Sequence, residues 1–196
     1  MKILVDPKVK ALIFDLDGTL ADTMPTHMTA WVKAANHFHA PLTEQMVQEW
    51  AGMPSFKIVA RLNELFKLTL DPMEVSKKKA EFFFEIQGEG VNPIKPIYEI
   101  AEKYKDTLPM GIGTGSRKEN AEKILGGMGI RDWFKSVVTA DDVENHKPEP
   151  ETYLKCAAEL GVAPKDCVVF EDADFGILAA KAAGMAVVDV RDYLGK

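Results

Sequence analysis

Long apolar runs are missing from this chain. No stretch approaches the ~20 residues that a bilayer-spanning helix requires. A secretory pattern is also missing, because Asp6 and Lys8 interrupt the apolar residues of MKILVDPKVKALIF and no small-residue cleavage site follows. Cysteine is scarce, with only Cys156 and Cys167 present. Two such residues without a secretory signal read as reduced, buried small hydrophobes, so the expected location is cytoplasmic. Net positive charge is absent: 24 Lys and Arg against 30 Asp and Glu leave −6. That argues against a broad nucleic-acid surface but leaves room for a local basic pocket of the size a phosphorylated small molecule needs. No nucleic-acid or membrane partner is expected, and the chain is expected to be a monomer or weak oligomer. Internal repeats and low-complexity segments are absent too.

What remains is an ordinary globular composition, 46% hydrophobic and 28% charged over 196 residues. This is enough for one domain, or for one core with a modest insertion. VKALIFD (9–15) reads as a buried strand stopped by a polar turn. From Pro25 to about Gln87 the texture turns helical, in four segments divided by Pro41, Gly52–Pro54 and Asp71–Pro72. Thr43 and Asp71 are the expected helix starts. The KKK at Lys77–Lys79 reads as a solvated helix face. After Gly88–Gly90 short β-branched runs alternate with helical patterns: LPMGIGTG, FKSVVTADD, DCVVFEDAD and MAVVDVRD are the strands. Such alternation predicts an α/β fold with a doubly wound parallel sheet. The predicted division is a core of residues 1–22 and 91–196 with an inserted helical cap of residues 23–90.

Functional-looking residues recur at strand ends: Asp15/Asp17, Thr114/Gly115/Ser116, Asp141/Asp142 and Glu171/Asp172. In an open α/β sheet these ends form the ligand crevice, and Lys147, in the loop after the third of these strands, could reach it. Carboxylates without Cys or a dense His set suit a hard cation such as Mg²⁺. Asp15 and Asp172 are the natural direct ligands, with Glu171 binding or orienting metal water. A carboxylate can also attack phosphorus, given a cation and Lys147 to offset the charge. Thr114 and the Gly115 N–H, at a helix N-terminus, could hold phosphoryl oxygens. Asp17 is near enough to Asp15 to serve as the acid–base group. Each feature alone has an ordinary structural explanation, such as a helix cap, an Asx turn or a solvated lysine. Their joint occurrence at strand ends does not.

FDLDGT, the Thr114 turn in IGTGS, Lys147 in HKPEPETY and Glu171–Asp172 in VVFEDADFGI resemble the four motifs of the haloacid dehalogenase superfamily. The cap placed after the first motif is similar to that of the β-phosphoglucomutase-like subgroup. The resemblance implies a HAD-like Rossmannoid core with Asp15 as nucleophile and Asp17 as general acid/base. It also implies Mg²⁺ held by the Asp15 side chain, the Asp17 backbone carbonyl and Asp172. Asp17 argues against the dehalogenases proper. His27 lies where mutases and many sugar phosphatases of the subgroup carry a hinge histidine, thought in the mutases to couple substrate binding to the acid/base. His37, His39 and His146 read as surface or satisfied residues.

The subgroup's mutases grip a distal phosphate with a cap Lys and Arg. Here the stretch is WAGMPSFK, with Ala51 and Ser55 near those positions, so both cations are missing. Ser116 and Arg117 could still touch a distal group, and Lys57 reads as an exposed helix lysine. TADDVENHKPEPETY, GTGS and EDADFGI are similar to the fructose-1-phosphate phosphatase-like members. The expected function is thus a Mg²⁺-dependent phosphomonoesterase acting on a small sugar phosphate through an aspartyl-phosphate, with fructose 1-phosphate the first candidate. A β-phosphoglucomutase-type mutase is the alternative. A phosphonate hydrolase would need a cap lysine for a Schiff base, and a phospho-acceptor signalling module needs neither the cap nor Asp17. Trp31, Trp50 and the Phe82–Phe84 run read as packing.

Overall fold

A computed structural model describes residues 3–88 and 90–194. Residues 1, 2, 89, 195 and 196 of the expected division lie outside the described residues. Five parallel strands, β1 (Ala11–Phe14), β2 (Met110–Gly113), β3 (Ser136–Val138), β4 (Cys167–Glu171) and β5 (Ala186–Asp189), form one sheet in the order β3-β2-β1-β4-β5. β1 sits at the centre and pairs with β2 through Leu12–Met110 and with β4 through Leu12–Val168. Its four residues ALIF are all buried, as expected of a strand covered on both faces.

Alternation along β1 separates two cores. Leu12 and Phe14 face helices α5 (Lys95–Tyr104) and α6 (Lys118–Gly127), packing with Ile97, Ile100, Ile112, Ile124 and Phe170. Phe14 stacks on Phe170 with ring centroids 4.8 Å apart. Ala11 and Ile13 face α7 (Glu151–Leu160) and α8 (Asp174–Ala182), packing with Tyr153, Cys156, Ala179 and Ala180. Helices therefore cover both faces, and all five strands run toward one edge. Both cysteines are free and buried. No helix among the described residues is long and apolar enough to cross a membrane.

Between β1 and β2 the chain builds a helical lobe of α1 (Met24–His37), α2 (Glu44–Glu49), α3 (Ser55–Phe66) and α4 (Pro72–Gln87). Thr43 caps α2 by accepting from the Met46 N–H, and Asp71 caps α4 by accepting from Met73 and Glu74, with Pro72 at the first helical position. Trp31, Val47, Trp50, Ile58, Val59, Leu62 and Val75 give the lobe a core of its own. Its base is continuous with the sheet, however, since Ala30 of α1 and Phe83 of α4 join the core under β1. The two connections to the sheet run side by side, with the Asp22 N–H donating to the Asn92 carbonyl at 2.9 Å.

α1 starts without a side-chain cap although Thr23 occupies the capping position. The Thr23 hydroxyl is instead turned to Asp17, at 2.7 Å. A local rule broken in this way marks a functional edge.

Candidate active site

The floor of the site is a buried charge cluster. Asp15 leaves the end of β1, and Lys147 reaches it from the loop before α7. Lys147 Nζ donates to Asp15 Oδ1 and to Glu171 Oε1, both at 2.7 Å, and its side chain is 1% exposed. Glu171 at the end of β4 is fully enclosed. Its Oε1 also accepts from the Tyr153 hydroxyl at 3.1 Å, and its Oε2 from the Ala173 N–H at 2.7 Å. Asp172 accepts from the Thr19 hydroxyl at 2.8 Å. Gly18 makes the turn possible: its φ is +87°, and a Cβ there would run into the Asp172 carboxylate and Met24.

Asp15, Glu171 and Asp172 present oxygens within 4.8 Å of one another. Burial raises Asp15 well above the ordinary carboxylate range, with Glu171 and Asp172 adding to the rise and Lys147 opposing it. Asp172 is likewise raised, to about 7, by burial and by Glu171. Three clustered carboxylates facing one ammonium leave an excess of negative charge, carried on hard oxygen donors only. This donor set fits a divalent oxygen-loving cation. Glu171 has both oxygens engaged, Oε1 by Lys147 and Tyr153 and Oε2 by the Ala173 N–H.

Asp17 stands apart from that cluster electrostatically. Its Oδ1 accepts from Thr23 at 2.7 Å and from His27 Nε2 at 2.9 Å, and its Oδ2 from the Ser116 hydroxyl at 2.6 Å. Burial opposes its ionisation, but His27 and these hydrogen bonds outweigh burial and hold it far below the usual carboxylate range. Behind His27 stands Lys79 of α4, whose Nζ is hydrogen-bonded to His27 Nδ1. Burial pushes the imidazole down and Lys79 adds to the effect, with Asp17 pulling the other way. A neutral His27 that accepts at Nδ1 and donates from Nε2 satisfies both neighbours. Lys79 itself is lowered to about 8 by burial, opposed by Asp17. Its ammonium lies over the rings of Trp31 and Phe83, at 5.6 and 5.3 Å.

Lys79 corrects the reading of KKK as a solvated face. Lys77 is exposed, but Lys79 is 3% exposed and lines the cavity. The signal was present in the spacing: Val75, Lys79 and Phe83 recur every four residues, on the buried stripe of α4. Asp141 and Asp142 are a second correction. Neither lines the cavity. Asp142 accepts from Thr139, and Asp141 from Arg117 Nε and the Lys118 N–H. The helix N-terminus expected at Gly115 is a third, because α6 begins at Lys118 and its first N–H is taken by Asp141. The intervening turn is held by the Thr114 hydroxyl, which accepts from the Ser116 N–H at 3.0 Å.

One cavity under the helical lobe joins most of these groups, but Lys147 and Glu171, both buried, do not line it. Asp15, Asp17, Thr114, Gly115, Ser116 and Asp172 form its sheet side, together with Arg117 and Asn120. Ala51 and Ser55 line it from the lobe, as do Met24, His27, Trp31, Trp50, Met53 and Lys79. Trp31 and Trp50 are thus both lobe core and cavity wall. Lys57 does not line the cavity. Of the other histidines, His37 and His39 are exposed, and His146 is buried with its ring 5.2 Å from that of Phe56. The lobe is closed down on the sheet: a Cβ on Gly115 would come within 2.7 Å of the Gly52 carbonyl oxygen.

A strand-end carboxylate beside a lysine, a second carboxylate hydrogen-bonded to a histidine and an oxygen-only donor set suit a hydrolase of phosphoric monoesters. Residues 12–190 match the family described as haloacid dehalogenase-like hydrolase, and the chain belongs to that family. It is 43% identical over 180 residues to fructose-1-phosphate phosphatase YqaB of Escherichia coli, covering 92% of this chain and 95% of that protein. It is 32% identical to a phosphorylated carbohydrates phosphatase of Thermotoga maritima, covering 90% and 82%. Among solved structures, β-phosphoglucomutase from Clostridium difficile superposes with a TM-score of 0.83 at 26% identity, covering 95% of this chain and 93% of that one.

Proposed function

We propose that this chain is a Mg²⁺-dependent phosphomonoesterase acting on a small sugar phosphate, with fructose 1-phosphate the first candidate. The observation that carries the reading is the split of the two aspartates. Asp15 is paired with Lys147 on the sheet side, whereas Asp17 is wired through His27 to Lys79 on the lobe side. One is set up to meet a phosphoryl group and the other to handle a proton. The 43% identity to a fructose-1-phosphate phosphatase supports the substrate. The two buried free thiols are in keeping with a reducing, cytoplasmic setting.

When bound, Mg²⁺ held by the Asp15 side chain, the Asp17 carbonyl and Asp172 supplies positive charge against the phosphoryl oxygens. Thr114, the Gly115 backbone and Lys147 hold those oxygens, and an Asp15 carboxylate oxygen attacks phosphorus. The bond from phosphorus to the sugar oxygen breaks, and Asp17 gives that oxygen a proton, leaving an aspartyl-phosphate. Asp17 is ionised in the resting arrangement, so its proton comes along the line from Lys79 through His27. An ammonium lowered to about 8 suits that task near neutral pH. Asp17 then removes a proton from water, which attacks phosphorus, breaking the bond from phosphorus to the Asp15 oxygen and restoring Asp15. That proton returns through His27 to Lys79, leaving Asp17 ionised again. Residues 23–90 act as the cap: closure excludes bulk water, and opening releases sugar and phosphate.

The test is phosphate release from a panel of sugar phosphates with Mg²⁺, repeated with chelator and with Asp15→Asn. Fructose 1-phosphate is expected to rank high, and both chelation and the substitution to abolish turnover. Undiminished turnover by Asp15→Asn would overturn the mechanism. Conversion of β-glucose 1-phosphate plus a trace of bisphosphate into glucose 6-phosphate, without free phosphate, would favour the mutase. Ala51 and Ser55, which put no cation on the cap side, speak against that outcome.

A further inference from the structure

The cavity's charge is uneven in a way the catalytic groups do not use. Its cap wall is apolar around Trp31, Val47, Trp50, Met53 and Ile58, and the one cap ammonium in it, Lys79, is committed to His27. Among the described residues lining the cavity, Arg117 is the only cation outside that Asp17–His27–Lys79 line. It is half-exposed and is paired with a carboxylate from a different strand end. Asp141 Oδ1 accepts from Arg117 Nε at 2.9 Å.

Asp141 is itself held in place, so the pair is more than a chance surface contact. Its other oxygen accepts from the Lys118 N–H at 2.9 Å, capping α6, whose own capping residue makes no side-chain bond. The neighbouring Ala140 N–H donates to the Ser116 carbonyl at 2.9 Å, which ties the Asp141 turn to the turn below the cavity. Arg117 thus lines the cavity as half of a neutral pair, its charge offset by an Asp141 that does not itself line it. A carboxylate anchored by a backbone N–H loses little entropy in holding the guanidinium.

We propose that Asp141 is a specificity-determining residue: by neutralising Arg117, it makes the site select substrates with one phosphate and an uncharged distal end over bisphosphates. A second phosphate would have to desolvate against an apolar cap wall and a neutral pair, with no free cation to receive it. The proposal rests on the sugar-phosphate reading given above and extends it to the charge of the substrate's far end.

The experiment compares kcat/KM for fructose 1,6-bisphosphate and fructose 1-phosphate in the parent, Asp141→Asn and Arg117→Gln. Asparagine keeps an acceptor for the Lys118 N–H and removes only the charge. The bisphosphate-to-monophosphate ratio is expected to rise about tenfold in Asp141→Asn, the scale of one added unit charge near a dianion in a largely solvated setting. That gain should shrink as salt is raised. In Arg117→Gln, which leaves Asp141 as an unpaired anion, the ratio should fall below that of the parent. Each ratio is internal to one protein, so a partly inactive variant still reports it. Equal ratios in all three proteins, or shifts in the same direction in both variants, would overturn the proposal alone. A parent that turns over neither sugar would overturn the sugar-phosphate reading and this proposal together.

Discussion

Replacing Lys147 by Met removes a charge from a buried part of the molecule while nearly keeping its volume. The lysine makes two 2.7 Å hydrogen bonds, to Asp15 and Glu171, and its ammonium lies 4.7 Å from the centre of the Tyr153 ring. Burial alone would lower its pKa, but Asp15 and Glu171 outweigh that and raise it well above the ordinary value, so the pair formation is favourable in place. Without it, three carboxylates within 4.8 Å of one another keep no buried cation. Breaking a buried pair from one side costs about 3–5 kcal/mol, a large share of a typical stability of about 5–15 kcal/mol. For a chain of this size that corresponds to a drop in Tm of about 10 °C.

The pH dependence has a definite sign. Asp15 and Asp172 have folded-state pKa values above their unfolded ones, so the folded protein binds more protons and loses stability as pH rises, for Asp172 from about 4 through about 7. Removing Lys147 raises both further, so the deficit should be wide at pH 8 and narrower at pH 5. Magnesium should narrow it as well, since a cation at 100 times its Kd adds about 2.7 kcal/mol to the folded state. The variant should gain more from Mg²⁺ than the parent does. Urea denaturation followed by tryptophan fluorescence, at both pH values with and without Mg²⁺, reads all of this. An unchanged midpoint at pH 8 without metal, or a deficit that widens at pH 5, would refute the reasoning.

Two further predictions concern the cap. Lys79→Met should lower kcat while leaving the fold at least as stable at pH 7, by about 1 kcal/mol once the lost His27 contact is set against the relieved burial of charge. Because Lys79 is lowered to about 8, its penalty is full below that pH and fades as pH rises toward the unfolded value near 10; a variant-minus-parent stability that stays flat from pH 7 to 10 would contradict it. Gly115→Ala should lower kcat/KM by about tenfold with little change in Tm, because its Cβ meets the Gly52 carbonyl and displaces the closed cap, and small misplacements are costly to catalysis. Full activity in that variant would mean that closure does not bring these two glycines together.

Sequence alone took the reading a long way where function is written in local pattern. β1 ends where an apolar run meets Asp15, the two helix caps at Thr43 and Asp71 stand where their chemistry puts them, and alternating strands and helices imply a parallel sheet. It failed where a residue's role depends on a partner far along the chain. Lys79 looks like one of three solvated lysines until α4 is laid against α1, which puts it behind His27, 52 residues earlier. Asp141 looks like one more functional carboxylate at a strand end until β3 is placed beside β2, which sets it on Arg117 instead. Asp15 meets Lys147 across 132 residues, and no local pattern reports that distance.

The division has a physical cause. Backbone propensity, periodicity and capping act over a few residues, so strands, helices and the chemical character of the strand ends are determined by the sequence as read along the chain. Burial and electrostatics act through space. Which carboxylate keeps a proton, which lysine loses its water and which arginine is neutralised depend on what the fold packs around each group. For this protein the FDLDGT stretch determined that Asp15 and Asp17 would share an edge. Only the tertiary structure decided that one faces Lys147 and the other His27, and so gave two neighbouring carboxylates opposite electrostatic fates.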